Sequence, residues 1–285
     1  MRVIKTVKEL KEFVRAEKKA GHQIGLVPTM GFLHEGHLTL ANQARQENDT
    51  VIMSIFVNPL QFGPNEDFDR YPRNLERDEQ LAASAGVDCL FTPDVEEMYP
   101  EPSIITMTVK ARADKLCGVK RPGHFDGVVT VVTKLFHLAE PDKAYFGLKD
   151  AQQFAVIDGL VSSLNFPVEI VGVETVREED GLAKSSRNVY LTEEERLKAP
   201  HLQKGLQLGV QAAKQGDKSV EEVIGLTVSY LQEHTGAAVD YVELLSYPEL
   251  NSLEKVQGKM ILAAAVHYRK ARLIDNIIFT VRGEC

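Results

Sequence analysis

The sequence predicts an α/β protein in which a doubly wound parallel sheet is followed by a smaller α+β domain. Three features carry that expectation. Short, continuously apolar runs alternate with amphipathic stretches as far as about residue 176, the pattern of strands covered on both faces by helices. Beyond that point the alternation gives way to two long helical patterns and then three strand-like runs. Finally, 285 residues with 44% apolar and 26% charged side chains suit two modest domains whose cores need no disulfide or metal. The expected division is residues 1–175 and 176–285.

Residues 7–20 space Leu10, Phe13 and Val14 at helical intervals among Lys and Glu and stop at Gly21, predicting a surface helix. Residues 24–30 and 51–57 are short apolar strands. Between them, 34–48 predicts a helix with Leu38, Ala41 and Ala44 facing inward. The alternation continues with a helix over 74–85, a strand over 89–92, a helix over 127–139, a strand over 143–147, a helix over 150–164 and a last strand within 168–176. In the second domain, helices are expected over 192–213 and 219–234, and strands over 241–245, 260–267 and 273–279. Ligands of such a sheet bind beyond the carboxyl ends of its strands.

Lys and Arg number 33 against 41 Asp and Glu, a formal charge of −8. That balance repels a nucleic-acid backbone and an anionic membrane, so no nucleic-acid or membrane partner is expected and any bound anion must be captured locally. Cys89, Cys117 and Cys285 are odd in number and widely spaced, which predicts neither a disulfide framework nor a zinc site. The first residues lack the apolar core of a secretion signal, and no apolar run approaches the roughly 20 residues of a membrane helix. A soluble, cytoplasmic protein is expected.

The first chemical constellation is Met30-Gly31-Phe32-Leu33-His34-Glu35-Gly36-His37, placed where a strand ends and a helix begins. A helix N-terminus offers unpaired N–H groups and partial positive charge, the glycines let backbone approach a phosphate, and two imidazoles three residues apart project to one side. His34 and His37 are thereby candidate catalytic groups for stabilising charge on ATP, with Glu35 solvated. A metal-binding pair and ligand-free helix caps remain alternatives.

Gly147-Leu148-Lys149-Asp150, running on to Gln153, repeats the geometry at another strand end: Lys149 can set a cation beside phosphates and Asp150 can cap the helix. Lys184-Ser185-Ser186-Arg187 offers hydroxyls and a guanidinium fork to a polyphosphate. Taken alone, either is more often merely a solvated surface stretch. The polar loop after the second strand contains Asn58 and Gln61, uncharged groups suited to orienting a small polar substrate, and Gly63-Pro64 permits the 61–73 stretch to act as a lid. Arg121 to Gly127 is a further glycine-containing entry to a helix, able to present N–H groups to a carboxylate.

The runs P-T-M-G-F-L-H-E-G-H, F-V-N-P-L-Q-F-G-P-N-E-D-F-D-R-Y-P-R, R-P-G-H-F-D-G-V, F-G-L-K-D-A-Q-Q and S-S-R-N stand in order from Val27 to Asn188. Together they resemble the pantothenate synthetase (pantoate-beta-alanine ligase) family of the HIGH-type nucleotidylyl-transferase superfamily. The resemblance implies a Rossmann-like first domain, a C-terminal domain that closes as a lid, a homodimer, and the condensation of pantoate with β-alanine at the expense of ATP through a pantoyl adenylate. By position it puts Met30, His34, His37, Gly147, Lys149, Asp150, Val176, Ser185, Ser186 and Arg187 where the family handles ATP. It puts Gln61 and Gln153 where the family holds pantoate, Gln61 also near the β-alanine path, and Asp78 where Mg²⁺ is expected. Lys184 departs from the family, which commonly has an apolar residue there. A nucleotidylyl transferase that leaves AMP on its product, or a catalytically silent nucleotide sensor, would use the same H-x-G-H stretch.

Overall fold

The computed structural model describes residues 1–64, 66 and 68–282. Asn65 and Asp67 of the expected lid stretch, and Cys285, lie outside the described residues. The chain forms two compact units: Met1–Lys110, Arg121–Leu148 and Val156–Glu174 make the first, and Ala111–Lys120, Lys149–Ala155 and Thr175–Cys285 the second.

As far as Glu174 the chain runs β1 (Arg2–Ile4), α1 (Val7–Ala20), β2 (Ile24–Thr29), α2 (Glu35–Glu47), β3 (Thr50–Ile55), α3 (Leu75–Ser84), β4 (Cys89–Phe91), α4 (Val95–Met98), α5 (His124–Ala139), β5 (Lys143–Gly147), α6 (Ala151–Leu164, whose first five residues count with the second unit) and β6 (Glu169–Val173). The strands form one parallel sheet in the order β1-β4-β3-β2-β5-β6. From β2 the chain builds outward through β3 and β4, then returns to add β5 and β6 on the other side. The order therefore reverses between β2 and β5, and the crevice that such a reversal opens lies at the carboxyl ends of these two strands, Thr29 and Gly147.

On one face, Val27, Val51, Met53, Leu90 and Tyr145 pack against Leu40, Ala41 and Ala44 of α2 and against Ala82 and Ala85 at α3. A large aliphatic side chain buried in this way contributes about 1.5–3 kcal/mol, against a few tenths per residue from helix propensity. Packing therefore holds α2, whose sequence carries Gly36, Thr39 and Asn42. Its far end is pinned as well: Asn48 Nδ2 donates to Ala44 O at 2.8 Å and to the buried Tyr145 hydroxyl at 2.7 Å, and that hydroxyl donates to Glu47 at 3.0 Å. On the sheet's other side α5 lies against β2 and α1.

The second unit contains α7 (Glu193–Lys198), α8 (His201–Gln215) and α9 (Val220–His234), then the antiparallel sheet β7 (Ala238–Ser246), β8 (Gly258–His267), β9 (Arg272–Val281). Leu262, Ala264 and Val266 of β8 face Leu202, Leu206 and Val210 of α8 and Val223 and Leu231 of α9. The intervening Ile261 and Ala263 face the opposite way, onto Leu116, Ala151 and Ala155. That second face explains why the short segments 111–120 and 149–155 belong to this unit although the chain reaches them long before residue 175.

Three differences from the sequence reading have plain causes. The 192–213 pattern is two helices, because Pro200 has no N–H to bond back to Arg196 and the chain turns there before α8 starts. β1 has only three residues, too few to show periodicity, and gains its place by pairing with β4. α5 begins at His124, one turn earlier than the apolar run suggested. Among the described residues no helix is long and apolar enough to cross a membrane, and Cys89 and Cys117 are buried free thiols, Cys89 pushed up to about 12 by burial.

Candidate active site

The turn from β2 into α2 is held in a conformation the chain does not favour by itself. Gly31 sits at φ +83°, and a Cβ there would lie 2.8 Å from Ile55 Cγ2. Phe32 follows at φ 50°, a left-handed backbone that costs a bulky residue about 1–3 kcal/mol. Asp78, from the first turn of α3, supplies the compensation. Its Oδ2 accepts Phe32 N–H at 2.7 Å and its Oδ1 accepts Leu33 N–H at 2.7 Å. Hydrogen bonds to a charged acceptor contribute about 1.5–3 kcal/mol each, so the pair exceeds the strain. Arg77 completes the brace, donating to Leu33 O at 2.9 Å with its guanidinium over the Phe32 ring. Thr29 Oγ1 accepts Gly31 N–H at 3.1 Å and donates to Ser54 O at 2.7 Å, tying the turn to β3.

The sequence expectation for Asp78 was Mg²⁺; the contacts the structure shows for it are with backbone N–H groups. It is 1% exposed and each of its oxygens accepts a backbone N–H. No cluster of three or more metal-ligating side chains occurs among the described residues. Burial raises the Asp78 carboxyl above its ordinary value, against the lowering by the Leu33 and Phe32 N–H groups and Arg77. A carboxyl raised on folding contributes its stability below the unfolded value near about 3.9 and loses it as pH rises through the folded one. The carboxyl's contribution to global stability is therefore largest at low pH and falls as it ionises.

The clamped turn delivers His34 as the N-cap of α2. Its Nδ1 accepts Gly36 N–H at 3.2 Å, and His37 Nδ1 accepts His34 N–H at 3.3 Å. The two rings stack with centroids 4.0 Å apart. A backbone N–H only donates, so each neutral ring carries its proton on Nε2, the tautomer that offers an N–H to an anion. Glu35 is exposed, whereas Gly36, Met30 and Phe32 are half-buried and Leu33 is a fully buried anchor. Gly147 and Leu148, at the end of β5, are half-buried.

Gln61 joins this group. It ends the short 3-10 turn Pro59–Gln61, is 8% exposed, and its Nε2 lies 3.1 Å from Met30 Sδ. Asn58, the other uncharged candidate of this loop, lies beneath it. It is 1% exposed, with Nδ2 donating to Gln61 Oε1 at 3.2 Å and Gly127 O at 3.0 Å, and Oδ1 accepting the Tyr99 hydroxyl at 3.0 Å and Leu60 N–H at 3.3 Å. Every polar atom of its amide is engaged in placing the turn. Burial pushes the Tyr99 hydroxyl up to about 12, so it remains a donor.

The second unit holds the other candidates. Lys149 is half-buried and its carbonyl accepts Asn276 Nδ2 at 2.9 Å, while Asp150 is exposed. The adjacent glutamines of α6 differ. Gln152 is 6% exposed and staples the 111–120 segment, accepting Cys117 N–H at 3.0 Å and donating to Arg112 O and Lys115 O at 2.9 and 2.8 Å; Gln153 is half-buried. A tight hairpin brings Lys184 N–H to Val176 O at 2.9 Å. Arg177 braces that hairpin with a bidentate pair to Asp275, at 2.6 and 3.0 Å. Lys184 Nζ is 3.2 Å from Glu178, which meets the charge of this departure from the family pattern locally. Ser185 Oγ accepts Arg187 N–H at 3.3 Å, and Ser186 is 8% exposed. Arg77, Arg177, Asp275 and Asn276 carry no local sequence signal, since each acts on a distant segment.

A β-strand ending in a histidine-capped helix, at the point where a parallel sheet reverses its order, defines a nucleotide-handling α/β enzyme. The model of the Pantoate-beta-alanine ligase family matches residues 2–278, and the chain belongs to that family. It is 58% identical to the pantothenate synthetase of Bacillus pumilus over 281 residues, 99% of this chain and 97% of that one. It is 59% identical to that of Bacillus subtilis over 282 residues, 99% and 98% of the two chains. Among solved structures, pantothenate synthetase from Thermus thermophilus superposes with TM-score 0.91 at 48% identity, covering 97% of this chain and 99% of that one. The pantoate-beta-alanine ligase of Francisella tularensis, solved with beta-gamma ATP and beta-alanine, gives TM-score 0.80 at 36% identity, covering 98% and 97%. The chain is therefore an ATP-dependent ligase that condenses pantoate with β-alanine, which excludes the transferase and sensor alternatives.

The brace role of Asp78 predicts that Asp78→Asn lowers kcat/KM about tenfold, the equivalent of one lost hydrogen bond to a charged group. The melting temperature should change little, because removing a buried charge offsets the lost acceptor, and half-maximal activity should need the same Mg²⁺ concentration. A variant that needs far more Mg²⁺ would instead make Asp78 a metal ligand.

Proposed function

We propose that the reaction runs through pantoyl adenylate. A pantoate carboxylate oxygen attacks the α-phosphorus of ATP and the α–β anhydride bond breaks, releasing pyrophosphate. The amine of β-alanine then attacks the acyl carbonyl, the bond to the AMP oxygen breaks, AMP leaves with the electron pair, and the amine proton passes to solvent. The observation that carries this reading is the stacked His34–His37 pair, both rings fixed with Nε2–H as donor, at the carboxyl end of β2 beside the reversal of the sheet. Attack on a phosphate needs positioning and charge neutralisation more than proton transfer, and fixed N–H donors supply that.

His34 and His37 act on the phosphates with the backbone of residues 30–37, and the end of β5 at Gly147 and Leu148 borders the nucleotide. Lys149, Ser185, Ser186 and Arg187 are the phosphate-handling groups of the second unit, with Asp150, Val176 and Lys184 beside them. Gln61 and Gln153 hold pantoate. Asn58 acts by holding Gln61. Mg²⁺ enters on the ATP phosphates as part of the substrate, consistent with the engagement of both Asp78 oxygens. The Francisella relative's ATP analogue and β-alanine support the same substrates here. We also assign the enzyme as a homodimer, supported by the adjacent Ile104 and Ile105, 98% and 72% exposed, an apolar surface suited to a second copy of the chain.

ATP–pyrophosphate exchange should require pantoate alone, with AMP formed only after β-alanine is added, and His37→Ala or Lys149→Ala should lower kcat by about two to three powers of ten. Exchange that requires β-alanine would remove the adenylate, and near-normal turnover at saturating ATP would remove the substituted residue from the chemistry. Sedimentation velocity should give the mass of two chains, reduced to one by Ile104→Asp with Ile105→Asp. A parent enzyme that sediments as a monomer would end the dimer assignment.

A further inference from the structure

His124 opens α5, and the reaction as derived above gives it no part. Its Nδ1 lies 2.7 Å from the carbonyl oxygen of Gln61, and its Nε2 lies 2.9 Å from Nη1 of Arg121. A guanidinium nitrogen only donates. Nε2 therefore accepts, the ring proton resides on Nδ1, and that N–H donates to Gln61. Arg121 is itself fixed: its Nε and Nη2 each lie 2.6 Å from a different oxygen of Glu66, the bidentate fork that a lysine cannot reproduce. Glu66 also accepts Gly63 N–H at 3.2 Å. Burial pushes the Glu66 carboxyl up, but the Arg121 guanidinium outweighs it and holds the carboxyl below its ordinary value.

At the other end of this relay, the turn carrying Gln61 rests directly on α5. A Cβ on Gly127 would lie 2.3 Å from the Leu60 carbonyl oxygen, so only glycine allows that approach. A three-residue 3-10 turn has poor internal hydrogen bonding, so donors from outside decide where it sits. Asn58 holds the Gln61 side chain and His124 holds its backbone. Between them they set the distance from the Gln61 amide to Met30.

We propose that His124 is a positioning residue for the pantoate end of the reaction: its Nδ1–H fixes the Gln61 carbonyl, and the Arg121–Glu66 pair locks the ring in the one neutral tautomer that can donate there. The inference rests on Gln61 serving pantoate.

His124→Asn, His124→Gln and His124→Ala test it by steady-state kinetics. An Asn amide can place a donor where Nδ1 lies, whereas a Gln amide reaches toward Nε2, keeping contact with Arg121 and losing the donor to Gln61. Losing one neutral hydrogen bond predicts a KM for pantoate about five- to tenfold higher in His124→Gln and His124→Ala, an unchanged KM for ATP, and His124→Asn close to the parent. Equal behaviour of the Asn and Gln variants, or KM values for pantoate and ATP that rise together, would overturn the assignment. If His124→Ala does not fold, the Asn and Gln variants decide alone. Gln61→Ala separates the two levels. If it leaves the KM for pantoate unchanged, the reading of Gln61 falls; if it raises that KM while His124→Gln does not, the positioning role falls.

Discussion

The carboxylate of Asp78, bonded at once to the N–H groups of Phe32 and Leu33, is the constraint on which the first half of the active site depends. Without it the chain has little reason to leave β2 through Gly31 and a left-handed Phe32. With it, α2 starts at one residue in one direction, and His34 becomes its cap. The capping bonds then set the tautomers of both imidazoles. The carboxylate is buried where it determines local geometry, and its desolvation works against the bonds it makes there.

The same division of labour recurs in neighbouring pairs. Asn58 and Gln61 lie three residues apart in one turn, yet the former spends its whole amide on structure and the latter lies against Met30. Gln152 and Gln153 are adjacent in α6, where the helix turns the first onto the 111–120 segment and leaves the second half-buried. In each pair one amide is fully paired in the protein, so the other is the one with donor and acceptor capacity for a ligand.

Much of this was legible in the sequence, for identifiable reasons. β2, β3 and β5 read as continuous apolar runs because both faces of the sheet are covered, and α1 read as a helix because only one of its faces is. His34 and His37 were legible because their partners lie within three residues. The brace made by Asp78 was not legible, because an Asp in the acidic first turn of a helix ordinarily faces water, and nothing local reveals that it is buried under a turn more than forty residues away. The contacts of Asn58 were not legible for the same reason, since Gly127 and Tyr99 are distant in sequence. The segments 111–120 and 149–155 carry no sign that they cover a face of the β7–β9 sheet. Pro200 did carry a sign, and the break between α7 and α8 could have been read from it.

Amide hydrogen exchange at Phe32 and Leu33 tests the central constraint most directly, because the two N–H groups are the ones Asp78 engages. If the clamp holds the turn, both amides exchange at rates close to those of the β2 strand and become fast in an Asp78→Ala variant that remains folded. If instead they exchange at the rate of an open loop in the parent enzyme, the turn is not held by Asp78 and the origin of the histidine geometry must be sought elsewhere.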